Sequence, residues 1–148
     1  MAAVAAQLAA AHGAAPVVVC ADLGTAAGPA AVVAAARGAQ IDIVVNNAGV
    51  ADKVDVGAVA VAAFERAYAV NVRAPLLLVQ AALPQLPHDR SGRVVNVSSV
   101  CSALGLRGDS VYGGTKAALE AMTRTWAREL AERATVNAVN PGPVHTRM

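Results

Sequence analysis

Residues 41–49 read Ile-Asp-Ile-Val-Val-Asn-Asn-Ala-Gly, an apolar run that passes directly into small and polar residues. The β-branched side chains of Ile41–Val45 predict a strand buried on both faces, as strands of parallel sheets usually are. Upstream, Val17–Cys20 predicts another such strand, and Pro29–Arg37 predicts a helix that ends at Gly38. A strand, a helix and a second strand form one β-α-β unit, whose two strands are parallel.

The same alternation continues toward the C-terminus. Helices are predicted over Ala2–His12, Val61–Leu83 and Ser110–Glu132, and further strands over Arg93–Val97 and Thr135–Val139. No repeat or linker divides the chain. We therefore predict a single α/β domain over residues 1–148, with a Rossmann-like parallel sheet and flanking helices.

Composition narrows the class of protein. The chain has 148 residues, 56% of them hydrophobic, 15% charged and 3% aromatic, which suits one packed domain and excludes a disordered chain. The net charge is +2, and no basic stripe is interleaved with aromatic residues. We therefore expect no nucleic-acid partner.

The cysteines and histidines show no spacing typical of a metal or redox site. Cys20 and Cys101 lie far apart, as do His12, His88 and His145. This pattern predicts two buried, reduced thiols in a cytoplasmic protein, and no metal.

The N-terminal stretch leaves an alternative open, because residues 2–21 contain no Asp, Glu, Lys or Arg. Such a stretch could be a targeting or membrane-spanning segment. However, Gln7, His12, Gly13 and Pro16 interrupt the run, and no basic residue precedes it. We favour a soluble protein with no membrane partner.

Small and polar residues concentrate where the predicted strands end. They are Asp22, residues 46–49, Ser98-Ser99 and Asn140-Pro141-Gly142. In open α/β sheets, ligands bind in the crevice outside the carboxyl ends of the strands. These residues are therefore candidates for a binding site, although Ser98 is expected to bond the backbone at its strand end.

Tyr112 and Lys116 are four residues apart in a predicted helix, so their side chains share one face. An ammonium beside a phenol stabilises the phenolate and lowers a pKa that is ordinarily about 10. Such a tyrosine can donate or accept a proton near neutral pH. The alternative is an ordinary surface pair on a helix.

Taken in order, these motifs resemble the short-chain dehydrogenase/reductase family, and the ketoacyl-reductase-like branch in particular. The matching features are Asp22-Leu23, Asn46-Asn47-Ala48-Gly49, Asn71 within Ala69–Val72, Ser99 thirteen residues before Tyr112, Tyr112-x-x-x-Lys116, and Asn140–Val144 with Thr146. The resemblance covers essentially the whole chain. It implies an oxidoreductase that interconverts a ketone and a secondary alcohol with NAD or NADP.

The resemblance also implies roles for particular residues. Tyr112 would be the general acid and base, Lys116 would lower its pKa, Ser99 would hold the substrate oxygen, and Asn71 would anchor a proton-relaying water. The cofactor-binding residues it implies are Asp22 and Leu23 for adenine, Asn47, Ala48, Gly49, Tyr112 and Lys116 near the riboses, and Pro141, Gly142, Val144 and Thr146 near the nicotinamide. Helices around Asn71 and Tyr112 would pair in a homo-oligomer.

One departure from the family is large. The glycine-rich turn Thr-Gly-x-x-x-Gly-x-Gly, which holds the pyrophosphate at a helix N-terminus, is not in this sequence. We therefore expect a chain that lacks the first β-α-β segment and the C-terminal helix and strand, leaves Val17–Cys20 without its neighbouring strand, and binds NAD(P)H weakly. The alternative function is an inactive remnant, from a truncated or mis-started gene, or a helix-mediated interaction module.

Overall fold

Three parallel strands form the sheet in the computed structural model, which describes residues 2–144. They are β1 (Ile43–Asn46), β2 (Gly92–Val97) and β3 (Ala134–Val139), in the order β1-β2-β3. Val94 in the central strand pairs with Val44 on one side and Val136 on the other. The parallel pairing confirms the α/β prediction and brings the carboxyl ends of all three strands to one edge.

Helices precede and connect the strands. They are α1 (Ala2–His12), α2 (Ala27–Ala34), α3 (Val61–Tyr68), α4 (Ala74–Ala82), α5 (Cys101–Leu104) and α6 (Ser110–Glu129), with 3₁₀ turns at Val56–Ala58 and Leu83–Gln85. The short helix α5 was not predicted from the sequence. None of the helices within residues 2–144 combines the length and the apolar character that crossing a bilayer requires.

The helix predicted over Val61–Leu83 changes its hydrogen bonding in the middle. Residues Ala69–Arg73 form a π-helical turn between α3 and α4, and the Ala74 N–H donates to the Ala69 carbonyl, five residues back. Pro75 has no N–H to donate to the Asn71 carbonyl four residues before it, which interrupts α-helical bonding at this point.

The core lies on one face of the sheet. Val44, Val94 and Val136 are buried there with residues of α4 and α6, including Val79 and Trp126. Ile43 and Val45, on the other face of β1, are 62% and 56% exposed. The prediction that this strand is buried on both faces is therefore wrong, because α4 and α6 cover one face only.

The strand predicted over Val17–Cys20 is not formed. Val17 is 77% exposed and Val18 is 50% exposed, and no strand within residues 2–144 pairs with this segment. A β-branched run needs a neighbouring strand to satisfy its backbone N–H and C=O groups. For the same reason the prediction of two buried thiols is wrong at Cys20, which is exposed, while Cys101 is half-buried.

Candidate active site

Lys116 points back from α6 toward the end of β2. Its side chain is 4% exposed, and Nζ donates to the Val97 carbonyl at 2.7 Å. Nζ also lies 5.6 Å from the ring centroid of Tyr112, which is half-buried in the first turns of α6. Burial lowers the pKa of Lys116. The pair thus shares one helix face, as the spacing predicts.

Asn71 occupies the π-helical turn and is 1% exposed. Its Oδ1 accepts the Val50 N–H at 2.8 Å, and its Nδ2 donates to the Val50 carbonyl at 2.8 Å. This pair of bonds fixes the backbone that directly follows Gly49. The side-chain amide therefore positions the turn after β1.

Thr115, which sequence reasoning missed, joins Asn71 to α6. Its hydroxyl accepts from Asn71 Nδ2 at 3.0 Å and donates to the Tyr112 carbonyl at 2.6 Å. The residue is fully buried. Its position directly before Lys116 was the only signal in the sequence, and a threonine there is equally compatible with simple packing.

Gly49 lies between Asn71 and Lys116. A Cβ at Gly49 would lie 3.4 Å from Asn71 Oδ1 and 3.5 Å from Lys116 Nζ. The predicted ribose-binding turn therefore passes close to both side chains. The structure brings Asn71, Gly49, Lys116 and Tyr112 into one cluster.

Ser99 follows β2 and is 8% exposed. Its Oγ accepts the Cys101 N–H at 3.2 Å, so the hydroxyl oxygen is fixed at the start of α5. The carbonyl of Pro141 accepts the Val100 N–H at 3.2 Å, which holds the segment after β3 against the segment after β2. Pro141 and Gly142 thus lie beside the Ser99 segment.

A hydrogen-bonded cluster lies behind these two segments. Glu120 Oε1 accepts from Ser98 Oγ at 2.7 Å and from Asn140 Nδ2 at 2.6 Å. Ser98 Oγ also lies 3.3 Å from the Lys116 carbonyl of α6, so the nearer acceptor of its single proton is the Glu120 side chain and not backbone at the strand end. Glu120 was missed from the sequence, although it continues the four-residue spacing of Tyr112 and Lys116.

The segment around Asp22 forms a second part of the site. Asp22 Oδ1 accepts the Gly24 N–H at 2.8 Å, and Arg73 donates to the Gly24 carbonyl. Asp22, Leu23, Ala48 and Gly49 line one open cleft of about 1140 Å³, together with residues of α3 and the π-helical turn. Asn47 is exposed at the same turn.

The predicted residues thus fall into two adjacent groups that meet at Gly49. Asp22, Leu23 and Ala48 face the cleft, while Tyr112, Lys116, Asn71 and Ser99 lie around the ends of β2 and α6. Val144 is 68% exposed and belongs to no helix or strand. Thr146 lies outside the described residues.

Comparison with known proteins gives the family. The short chain dehydrogenase profile matches residues 1–148. The chain belongs to the short chain dehydrogenase family. It is 63% identical over 109 residues to an L-xylo-3-hexulose reductase of Hypocrea jecorina, and 60% identical over 111 residues to an L-xylulose reductase of Aspergillus niger. Each match covers 70% of this chain, but 36% and 37% of the two relatives.

Solved structures of the family have the same fold. A blue fluorescent protein from a metagenomic library, in complex with NADPH, superposes with a TM-score of 0.91 at 35% identity, over 99% of this chain and 60% of that one. A short chain dehydrogenase from Burkholderia cenocepacia, in complex with NADP, gives a TM-score of 0.91 at 33% identity, with the same coverage. The chain therefore spans well under half the length of those two curated relatives and about three fifths of the length of those two structures.

Proposed function

We propose that this chain carries the catalytic part of an NAD(P)-dependent reductase that interconverts a ketone and a secondary alcohol in the cytoplasm. The observation that carries the proposal is the cluster of Tyr112, Lys116, Asn71 and Gly49 at one end of the sheet. The free thiols of Cys20 and Cys101 are compatible with a reducing compartment.

The roles follow from the contacts of each residue. Tyr112 would donate its phenolic proton to the carbonyl oxygen of the substrate, and Ser99 would hold that oxygen through its hydroxyl. Lys116, whose pKa burial lowers, would give up its proton more readily than an exposed lysine. Asn71 bonds the backbone of Val50, next to Gly49, and Thr115 bonds the carbonyl of Tyr112. These bonds fix the backbone on either side of Lys116 Nζ.

The residues present fit a nicotinamide dinucleotide. The open cleft beside Asp22, at about 1140 Å³, is large enough to hold a cofactor, since ligand pockets measure about 300–1,000 Å³. Gly49 leaves open the space between Asn71 and Lys116, which a side chain would fill. When bound, the nicotinamide would supply the hydride. The sequence leaves the choice between NAD and NADP open.

We further propose a ketose as the substrate class. Two relatives at 60% identity or more are named as reductases of L-xylulose and L-xylo-3-hexulose, whereas a 3-oxoacyl-[acyl-carrier-protein] reductase of Thermotoga maritima is 37% identical. Both kinds of substrate present a ketone to a proton donor. A panel with ketoses and 3-oxoacyl esters separates them.

The test is a reductase assay that follows loss of NADPH or NADH with each substrate. It uses the purified chain, and a chimera in which this chain replaces the matching segment of the Hypocrea jecorina relative. Tyr112→Phe keeps the ring but removes the transferable proton, and should lower kcat by about 10²–10⁴-fold.

Thr125→Val is the control, because it removes a hydroxyl from an exposed position of the same helix, outside the cleft and the Tyr112 cluster. It should leave kcat within a few-fold of the parent. A Tyr112→Phe chimera as active as its parent would show that Tyr112 is not the proton donor. A folded chimera without activity on any ketone would refute the proposed function.

A further inference from the structure

The carboxylate of Glu120 connects three parts of the candidate site that come from distant points in the sequence. It belongs to α6, two turns after Tyr112 and one turn after Lys116. Its Oε1 accepts from Ser98 at the end of β2 and from Asn140 at the end of β3. One oxygen atom thus joins the helix to both strand ends.

The two donors lie next to the residues that the site needs in place. Ser98 precedes Ser99, and Asn140 precedes Pro141 and Gly142. Asn140 Nδ2 also lies 3.5 Å from the Ser99 carbonyl, and the Val100 N–H donates to the Pro141 carbonyl at 3.2 Å. The two segments are therefore held together by backbone bonds and by the bonds to Glu120.

The environment of Glu120 favours the charged form that accepts these bonds. Burial acts to raise the pKa of this carboxyl. Four neighbours outweigh that effect and lower its pKa overall: Ser102, Ser98, Asn140 and Arg124. The oxygen is therefore an anionic acceptor, and hydrogen bonds to charged groups are stronger than neutral ones.

We propose that Glu120 is a positioning residue of this site, which holds the Asn140–Gly142 segment against Ser98–Ser99 and so sets where the nicotinamide end of a cofactor meets the substrate oxygen. The placement of the nicotinamide end rests on the proposed function. The hold of Glu120 on the two segments does not depend on that function. Glu120 itself touches neither Tyr112 nor the cleft beside Asp22, so it acts through the two segments.

The first experiment is amide hydrogen exchange on the purified chain. In Glu120→Ala, the Val100 amide should exchange about tenfold faster, because a bond to a charged acceptor is lost beside it. The Arg93 amide, which donates to the Asp42 carbonyl elsewhere in the sheet, should be unchanged. Glu120→Gln keeps an accepting oxygen without the charge, and should give an intermediate effect.

Glu129→Ala is the matched control, since Glu129 is an exposed residue of the same helix. It should leave both amides as in the parent. Unchanged exchange at Val100 in Glu120→Ala would overturn the proposal. Equal acceleration at Val100 and Arg93 would also overturn it, because it would mean a general loss of stability.

The second experiment is calorimetric titration with NADPH and with ADP, to millimolar concentrations. ADP lacks the nicotinamide end, so Glu120→Ala should weaken NADPH binding about tenfold and leave ADP binding unchanged. Equal weakening of both would refute the link between Glu120 and the nicotinamide end. A parent chain that binds neither nucleotide would count against the proposed function, while the exchange experiment would still decide whether Glu120 positions the two segments.

Discussion

Lys116 is a basic side chain in a nearly closed environment. Only 4% of its surface is exposed, and its single recorded acceptor among the described residues is the Val97 carbonyl. Removing an ammonium from water disfavours its charged form, which is why burial lowers its pKa. The same burial fixes Nζ beside Gly49 and the Tyr112 ring.

We predict that stability rises with pH on the alkaline side because of Lys116. A group whose pKa is lowered by folding binds its proton more tightly in the unfolded chain. The free energy of unfolding therefore increases as the pH rises from the folded pKa toward the ordinary value of 10.5. Urea unfolding at a series of pH values measures this slope.

Two variants make the pH experiment specific. Lys116→Met should remove the slope, and Lys53→Met, at the exposed position of the other lysine, should leave it. In addition, ¹³Cε-labelled lysine should show Lys116 titrating at lower pH in the folded chain than in urea. Identical titration in both states would contradict the prediction.

The segment after Val17–Cys20 packs against the start of α2 through Gly28. A Cβ at Gly28 would lie 2.1 Å from the Asp22 carbonyl oxygen, which is backbone and cannot move aside cheaply. The Gly28 N–H donates to Thr25 Oγ1 at 3.2 Å, and Thr25 Oγ1 donates to the Asp22 carbonyl at 2.8 Å. This close packing holds Asp22 and Leu23 at the cleft.

We predict that Gly28→Ala lowers the free energy of unfolding by about 1–3 kcal/mol, because the methyl group forces the backbone apart. Gly57→Ala is the control, since nothing lies within 4 Å of a Cβ there. It should change stability by less than about 0.5 kcal/mol. Urea unfolding of both variants measures the difference, provided that the dependence of the free energy on urea concentration is the same in both. Equal unfolding midpoints for Gly28→Ala and Gly57→Ala would contradict the close contact at Gly28.

The strands that sequence patterns predict well are those that pair with a neighbouring strand of the described sheet. The β-branched runs at Ile41–Val45, Arg93–Val97 and Thr135–Val139 each overlap an observed strand. Val17–Cys20 has the same composition, yet it forms no strand, since pairing depends on a neighbour that local composition does not reveal.

The candidate site divides in a similar way. Tyr112 and Lys116 were predicted because their types and spacing suit proton transfer, whereas Asn71 and Ser99 were predicted from the resemblance to the family. Thr115 and Glu120 were not, because threonine and glutamate are common in helices and only the folded chain reveals that Asn71 and Asn140 contact them. The assigned roles of all these residues stay predictions.

At the scale of the whole molecule, two exposed surfaces within residues 2–144 bear on association between chains. One is the uncovered face of β1, with Ile43 and Val45. The other lies on α6, where Ala117 and Ala121 are exposed. Small residues on helices allow close approach of a partner helix. Leu119, by contrast, is 1% exposed and belongs to the core, so it is not available to an interface.

We predict that the chain associates with copies of itself through α6. Ala121→Arg adds a long charged side chain to the small-residue face and should shift the mass measured by light scattering toward the monomer. Ala34→Arg, at an exposed alanine of α2, is the matched control and should leave the mass as in the parent. A monomeric parent at tens of micromolar would contradict the prediction. Association that survives Ala121→Arg but is lost in Ile43→Lys would instead locate the contact on the uncovered face of the sheet.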